Sequence, residues 1–337
     1  MARDPRPVVT TRDRSPAYRD DVSDPRKHHF VAQTYQRGFA RRNGKAFQVR
    51  ILNKRSGEGG IRNVRDAFSQ RDWNTIKTEE GLNEFGVERV LAEYIDAEAA
   101  PALDATRKHR FPLSRPDREA LAMFMSAQLS RGRAAREGLA ESIVEVNRLL
   151  LRVGASNYSD ERLREIAGQE PSAELREMMA NSDKYIEIQP TNAMLLQSML
   201  SSVQEIAEII DMRTWTLARF DSPCLFTGEH PFVHINPSGD SLGFGVATAE
   251  QLYLPTSPTQ ALVLSHPWTS WPDGRVDGTI ELATRLNWAM LSHPSNQELL
   301  LHPDVPSHPL PSPALLARND VWPWGADPEA SRGPPTA

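Results

Sequence analysis

The sequence predicts an α+β fold: a basic N-terminal α/β segment, a helical middle and a β-rich C-terminal region. Three observations lead there. AFQVRILNK alternates apolar and polar side chains from Phe47 to Leu52, the two-residue period of a strand. Apolar residues then recur at helical spacing through residues 82–211, and from Met212 short β-prone runs between Gly, Pro and Asp turns take over.

Taken in order, residues 1–25 are rich in Pro, Arg and Asp, lack apolar periodicity and read as a flexible lead-in. KHHFVAQTYQRGF, residues 27–39, has two geometries. A helix from Lys27 would put His28, Ala32, Tyr35 and Phe39 on one face and His29, Gln33, Gln36 and Arg37 on another. A helix beginning near Ala32 would leave His28 and Phe30 on one side of an extended run, with His29 and Val31 on the other. Both separate the two histidines. NKRSGEGG, residues 53–60, is a loop. NEFGVERVLAEYID, from Asn83, reads as a helix, with a further one to about His109. Ser114 followed by Asp117, with Pro116 between, is a helix start for the stripe Leu121, Phe124, Met125 and Leu129. That pattern continues towards Gly154, with Gly132 as a candidate break. A polar helix around residues 159–180 and an amphipathic one carrying Met194, Leu195, Met199, Val203, Ile206 and Ile210 complete the middle. TWTLARF, DSPCLF, PFVHI, QLYLP and ALVLS are the expected strands, and ELATRLNWAML is a last helix before an apolar run at 299–301. Residues 26–303 thus form one domain. From residue 304 the chain is a Pro-rich, mostly disordered tail, apart from a VWPW patch at 321–324.

Composition narrows the function. One cysteine, Cys224, excludes an intramolecular disulfide and a cysteine-built zinc cage. No run approaches the roughly 18 apolar residues of a spanning helix, and the N-terminus lacks a secretion signal's apolar core. A soluble, cytoplasmic protein is expected. The net charge of −5 hides an asymmetry, for residues 26–71 hold twelve Lys and Arg against only Glu58 and Asp66. That block, with Arg37, Arg41 and Arg42, is an electrostatic footprint for a phosphate-bearing partner such as nucleic acid. The alternative is that it docks onto the acidic helices between Glu79 and Asp104.

Two places carry candidate chemistry. His29 beside Gln33 and Arg37 combines a general base with an anion-binding neighbour, and the bland alternative is a histidine bonded to a backbone carbonyl. TGEHP, residues 227–231, sets Glu229 and His230 in a turn between apolar strands. With a histidine of the opening motif they could bind a divalent cation or share acid/base work; otherwise the acid closes a hairpin. His266, His293, His302 and His308 each precede proline and read as loop residues. No phosphate loop, dinucleotide fingerprint or nucleophile elbow is present.

HHFVAQTYQRGF resembles the His-His-Phe-Val-Pro-Gln-x-Tyr-Leu-Arg-x-Phe opening of a widespread, mostly bacterial family, domain-of-unknown-function 4238. FGVERVLAEYIDAEAAPAL looks like its Glu-containing helix pair, SPCLFTGEHPFV like its Phe-Ile-Thr-Ser-Asp-Asn-Pro-Val segment, and TRLNWAMLSH like its late Asn-containing helix. The resemblance spans residues 26–303 and implies a fold and a set of recurring polar positions, matched here by His28, His29, Gln33, Glu229 and Asn287. Ala32 stands where proline is usual, and Gly228-Glu229-His230 where Ser-Asp-Asn is usual. The opening string also resembles the Asp-His-Ile-Val-Pro start of His-Asn-His nucleases, although that motif runs into an Asn-bearing loop and a helix is expected here. Three functions follow. One is a metal-assisted hydrolase of nucleic acid or another phosphodiester, in which His29 activates water while Glu229 with His230 or His28 holds the cation. The second is a non-catalytic nucleic-acid- or protein-binding module. In the third, the motif's His and Gln bonds zip the two ends of the domain together.

Overall fold

The computed structural model describes residues 26–77, 83–84, 86–156, 159–168, 170, 172–181, 187–235, 245–269 and 271–305. The lead-in, most of the tail and its VWPW patch lie outside these residues. The mixed α+β architecture is as expected.

The chain opens with β1 (Lys27–His29), a one-turn helix α1 (Gln33–Gln36) and a 3-10 turn at Arg37–Phe39. Strands β2 (Arg41–Asn43), β3 (Ala46–Asn53), β4 (Gly59–Asn63) and β5 (Ser69–Arg71) follow, then β6 (Ile76–Lys77) and β7 (Asn83–Glu84). The helical middle holds α2 (Gly86–Arg89), which passes through a π-helical stretch, Val90–Asp96, into α3 (Ala97–Arg107). It continues as α4 (Arg115–Arg131), α5 (Arg133–Ser156), α6 (Asp160–Ala167), α7 (Ala173–Ala180) and α8 (Asn192–Asp211). The last region holds β8 (Thr214–Arg219), β9 (Thr227–Gly228), β10 (Val233–Ile235), β11 (Gln251–Ser257), β12 (Gln260–Ser265), β13 (Gly274–Asp277), α9 (Ile280–Ser292) and β14 (Glu298–Leu301).

Local signals account for the helix ends. Ser114 Oγ accepts from the Asp117 amide at 3.3 Å and starts α4. Thr191 caps α8 through Met194, and Thr279 caps α9 through Leu282. Gly132, with extended backbone, stops α4 and lets the chain restart as α5. The polar helix expected over 159–180 is instead two, because Gly168 adopts φ +66° and terminates α6. The helix expected from Asn83 begins only at Gly86, since Asn83 and Glu84 pair with β6. DSPCLF is not a strand; the amides of Cys224 and Leu225 both bond Pro258 O. The apolar run at 299–301 is a strand, β14.

Two five-stranded sheets divide two cores. The first has the order β10-β11-β12-β8-β13, and β14 joins β3 and β9 in the second, whose path is β2-β3-β14-β9 with β4 also on β3. Alternation sends Trp215, Leu217, Leu252, Leu254, Leu262 and Leu264 to the face covered by α4 and α8. Ala218, Val233, Tyr253, Ala261 and Val263 go to the face covered by α9. In the second sheet Val49, Ile51 and Leu300 join the first core, and Leu52, Leu299 and Leu301 the second. The central strands β8, β11 and β12 of the first sheet, and β14 of the second, are buried on two sides, so truncating one of these leucines to alanine costs about 2–5 kcal/mol. The domain extends just past residue 303, for Val305 is buried and Asp304 pairs with Arg41 at 2.6 Å. Among the described residues no helix is long and apolar enough to cross a membrane.

Candidate functional site

The opening motif takes the second of its two geometries. Residues 27–29 are extended, with His28 opposite Gln70 in β5, and the helix waits until Gln33. His28 is fully buried, and its Nδ1 accepts from the Asn74 amide at 2.7 Å. Asn74 in turn donates to Glu88 Oε2 at 2.6 Å and accepts from Arg136. The Arg136 guanidinium lies 4.2 Å from the Trp73 ring centroid, donates to Trp73 O and reaches Asn192 Oδ1 at 3.2 Å. Burial lowers Arg136 to about 10. His28 is thus one member of a buried polar network joining β1, α2, α5 and α8.

His29 points the other way. Its Nε2 lies 3.2 Å from Arg65 O and its Nδ1 3.4 Å from Gln33 Nε2. A carbonyl only accepts, so Nε2 carries the proton and Nδ1 accepts from the Gln33 amide. Burial lowers its pKa to about 4; the charges of Lys27 and Arg131 act in the same direction, and bonds to the backbone of residues 65 and 64 oppose them. The ring is neutral at pH 7 with both nitrogens engaged.

Tyr35, which the sequence did not single out, joins the opening motif to the β-rich C-terminal region. Its fully buried hydroxyl lies 2.6 Å from Pro255 O and 2.8 Å from Thr227 Oγ1. The single phenolic proton goes to the carbonyl, and the threonine hydroxyl donates to Tyr35. Burial pushes this phenol well above its ordinary value. Beside it Gly38 has no room for a Cβ, which would strike Thr256 O and the Arg107 guanidinium. Gln36 Nε2 donates to Val31 O at 2.7 Å and Ala67 O at 3.1 Å.

TGEHP is held as tightly. Glu229 Oε1 accepts from the amides of Gln297 at 2.6 Å and Glu298 at 3.2 Å. Burial raises its carboxyl above the usual range, while those amides and the charge of Arg133 pull it back. His230 N donates to Asn296 Oδ1 at 2.7 Å, and Asn296 Nδ2 returns to His230 O and to Met290 O. Gly228 is required beside this bracket, because a Cβ there would collide with the Asn296 amide. The His230 ring stacks on His293, centroids 4.5 Å apart and 11° from parallel. Burial lowers His230 to about 4 and His293 to about 2. His293, read from its proline neighbour as a loop residue, therefore belongs to this cluster. Asn287 is buried on α9 and donates to Cys224 O at 2.7 Å, steadying the approach to TGEHP.

The two candidate places meet at the junction of α4 and α5. The Arg133 guanidinium lies 4.7 Å from the Phe30 ring centroid and also acts on the Glu229 charge. Gly132 faces His230 Nδ1, and fully buried Arg131 pairs with Asp96 at 3.0 Å. Arg131, Asp96, Asn296 and Tyr35 were invisible to motif reading because their roles depend on contacts distant in the chain. Among the described residues no three His, Cys, Asp or Glu side chains are placed to hold a metal ion, so the suggested divalent cation finds no ligand set there.

The basic residues follow a different pattern. Ion pairs link Lys27 to Asp66, Arg26 and Arg71 to Asp72, Arg62 to Glu298 and Arg41 to Asp304. These acids come from the segment's own turns and the C-terminal end of the domain, whereas the sequence suggested the helices between Glu79 and Asp104. Arg37, Arg41, Arg42, Lys45, Arg55, Arg62, Arg65 and Arg71 remain solvent-exposed. Register puts Arg42 opposite Phe47 and Arg62 opposite Val49, on one face of β2-β3-β4. Arg37 lies over the Phe47 ring at 5.3 Å on that same face.

No curated protein and no solved structure matches the chain. A family model described as a protein of unknown function (DUF4238) matches residues 27–304, from the first strand to the end of the folded domain. The chain belongs to the DUF4238 family.

Proposed function

We propose that this domain is a non-catalytic nucleic-acid-binding module of the cytoplasm, with the opening motif as its scaffold. The observation that carries the reading is the exposed rim of β2-β3-β4, where Arg37 lies over the part-buried Phe47 ring, Arg42 stands opposite Phe47, Arg62 stands opposite Val49 and Lys45 sits at the hairpin turn. Guanidinium groups beside a part-buried aromatic ring suit a flexible phosphate backbone and a stacked base. The chemistry of the motif agrees, because His28, His29 and Glu229 direct polar atoms to backbone groups and, in the case of His29, also to the Gln33 amide. The test is binding of labelled single-stranded RNA and DNA across a salt series. The expected result is salt-sensitive binding, in which Arg42→Gln and Arg62→Gln each flatten the slope of log K against log salt by about 0.7. Salt-independent binding, or slopes unchanged in both variants, would refute it.

A second reading, hydrolysis of a phosphodiester, draws support from one observation. The two candidate places do come together, through the Tyr35–Thr227 bond and at the α4–α5 junction. It predicts cleavage with Mg²⁺ or Mn²⁺ that chelation and His29→Ala both abolish. The binding reading predicts no cleavage under any of these conditions.

A further inference from the structure

A cleft lies where β5, the residues just after it and the helices α5 and α8 come together, and neither reading uses it. Its volume is about 360 Å³, inside the range of about 300–1,000 Å³ usual for small-molecule sites. The apolar part of its lining is half-buried Trp73 with Ala140 of α5 and Leu195 of α8. The indole is fixed in place, since its Nε1 donates to Arg131 O at 3.1 Å and the Arg136 guanidinium lies 4.2 Å from the ring centroid. An aromatic platform held this firmly suits a flat ring, because no side chain has to be ordered when the ring arrives.

The polar lining selects which ring. Arg136 is 4% exposed, and its guanidinium meets only neutral acceptors, Trp73 O, Asn74 Oδ1 and Asn192 Oδ1, with Nε left unpartnered. That buried charge favours an electron-rich edge in the cleft. Glu137 lines the cleft as well, and among the described residues no donor meets its exposed carboxylate. A carboxylate only accepts, so it seeks two N–H groups side by side. Guanine has them in N1–H and the N2 amino group, and it carries O6 and N7 as its electron-rich edge. Adenine and cytosine set an acceptor nitrogen beside their amino group, and uracil flanks its one N–H with carbonyls, so each turns a lone pair on the carboxylate. Arg71, exposed and lining the same cleft opposite Lys27 of β1, is placed for a phosphate.

We propose that this cleft takes one guanine base of the single strand bound at the arginine rim, with Glu137 accepting from N1–H and the N2 amino group and Arg71 holding the adjoining phosphate. The source of the base rests on the nucleic-acid reading; the choice of base rests on the cleft alone.

Isothermal titration of the full chain with GMP, AMP, CMP and UMP tests this. GMP should bind about ten- to hundredfold more tightly than the others, the discrimination expected of one bidentate base contact. Glu137→Gln changes an exposed side chain and turns one acceptor into a donor. It should cost GMP the same factor while leaving the thermal melt unshifted. Ala140→Trp fills the cleft and should abolish binding of all four, with unchanged circular dichroism. A guanine-containing single strand should displace GMP, a uridine-only strand should not, and Arg42→Gln should leave GMP binding intact. No binding of GMP at millimolar concentration overturns the proposal. So do equal affinities for the four nucleotides, and a GMP affinity indifferent to Glu137→Gln. GMP that a guanine-containing strand fails to displace would assign the cleft to free nucleotides and equally overturn it. Strand binding whose salt slope ignores Arg42→Gln and Arg62→Gln, with GMP binding intact, would refute the arginine rim and leave the choice of base standing.

Discussion

Replacing Tyr35 by phenylalanine removes one oxygen atom and asks whether the opening motif is scaffold. The ring would keep its packing against Phe39 and Phe124, whose centroids lie 5.9 and 6.1 Å away. What disappears is the hydroxyl bonded to Pro255 O and Thr227 Oγ1. Thr227 is fully buried, and the lost partner leaves it and the Pro255 carbonyl in an apolar surround. An unsatisfied buried group costs about 1–3 kcal/mol, so two of them give a loss of about 2–6 kcal/mol. Thr227→Val in the Tyr35→Phe background removes one of the two orphans, and its further effect should be small. The coupling energy of that double-mutant cycle should be about 1 kcal/mol or more in favour of the wild-type pair. Urea unfolding, followed by tryptophan fluorescence and far-ultraviolet circular dichroism together, measures it, with unchanged m-values as the control. A Tyr35→Phe loss below about 0.5 kcal/mol, within the range of innocuous surface changes, would refute the claim that this hydroxyl ties the opening motif to the β-rich C-terminal region.

The remaining predictions concern pH, packing and capping. His29 and His230, each near 4 when folded and 6.5 when unfolded, bind fewer protons in the native state, so stability is full above pH 6.5 and falls as pH drops towards 4. Each contributes at most about 3 kcal/mol, His293 adds to the fall, and the upward shift of Glu229 opposes it; unfolding at pH 5 should take up protons, and a pH-independent midpoint between 7 and 4.5 would contradict the assignment. Gly228→Ala should cost about 2 kcal/mol or more by forcing Asn296 off His230, which a thermal melt detects; an unshifted melt would show that the bracket yields freely. Ser114→Ala should cost about 1 kcal/mol, read by denaturant titration, through loss of the α4 cap alone and with no change in nucleic-acid binding.

Much of the fold was legible because its signals are local. The Ser114 cap, the strand period of β3, the stripe of α8 and the break at Gly132 each lie within a few residues of chain. The failures have the same explanation reversed. GRVD of β13 has one apolar residue and is a strand only because Arg219 and its neighbours offer a parallel edge. Asn83 and Glu84 read as helix and are drawn into a ladder by Ile76 and Lys77.

For the candidate site, the sequence by itself determined where polar groups would concentrate: KHHFVAQTYQRGF and TGEHP, with a basic block spread over residues 26–71. It determined the α+β order as well, because hydrophobic period is a property of consecutive residues. Only the tertiary structure decided what those groups are bonded to. Whether His29 is an exposed base or a neutral ring between Gln33 and Arg65 O depends on a loop 36 residues away. Whether Glu229 can ionise freely depends on amides 68 and 69 residues away. Hydrogen bonds reach about 3 Å in space and have no fixed reach in sequence, so local pattern names the chemical groups and the fold alone supplies their partners.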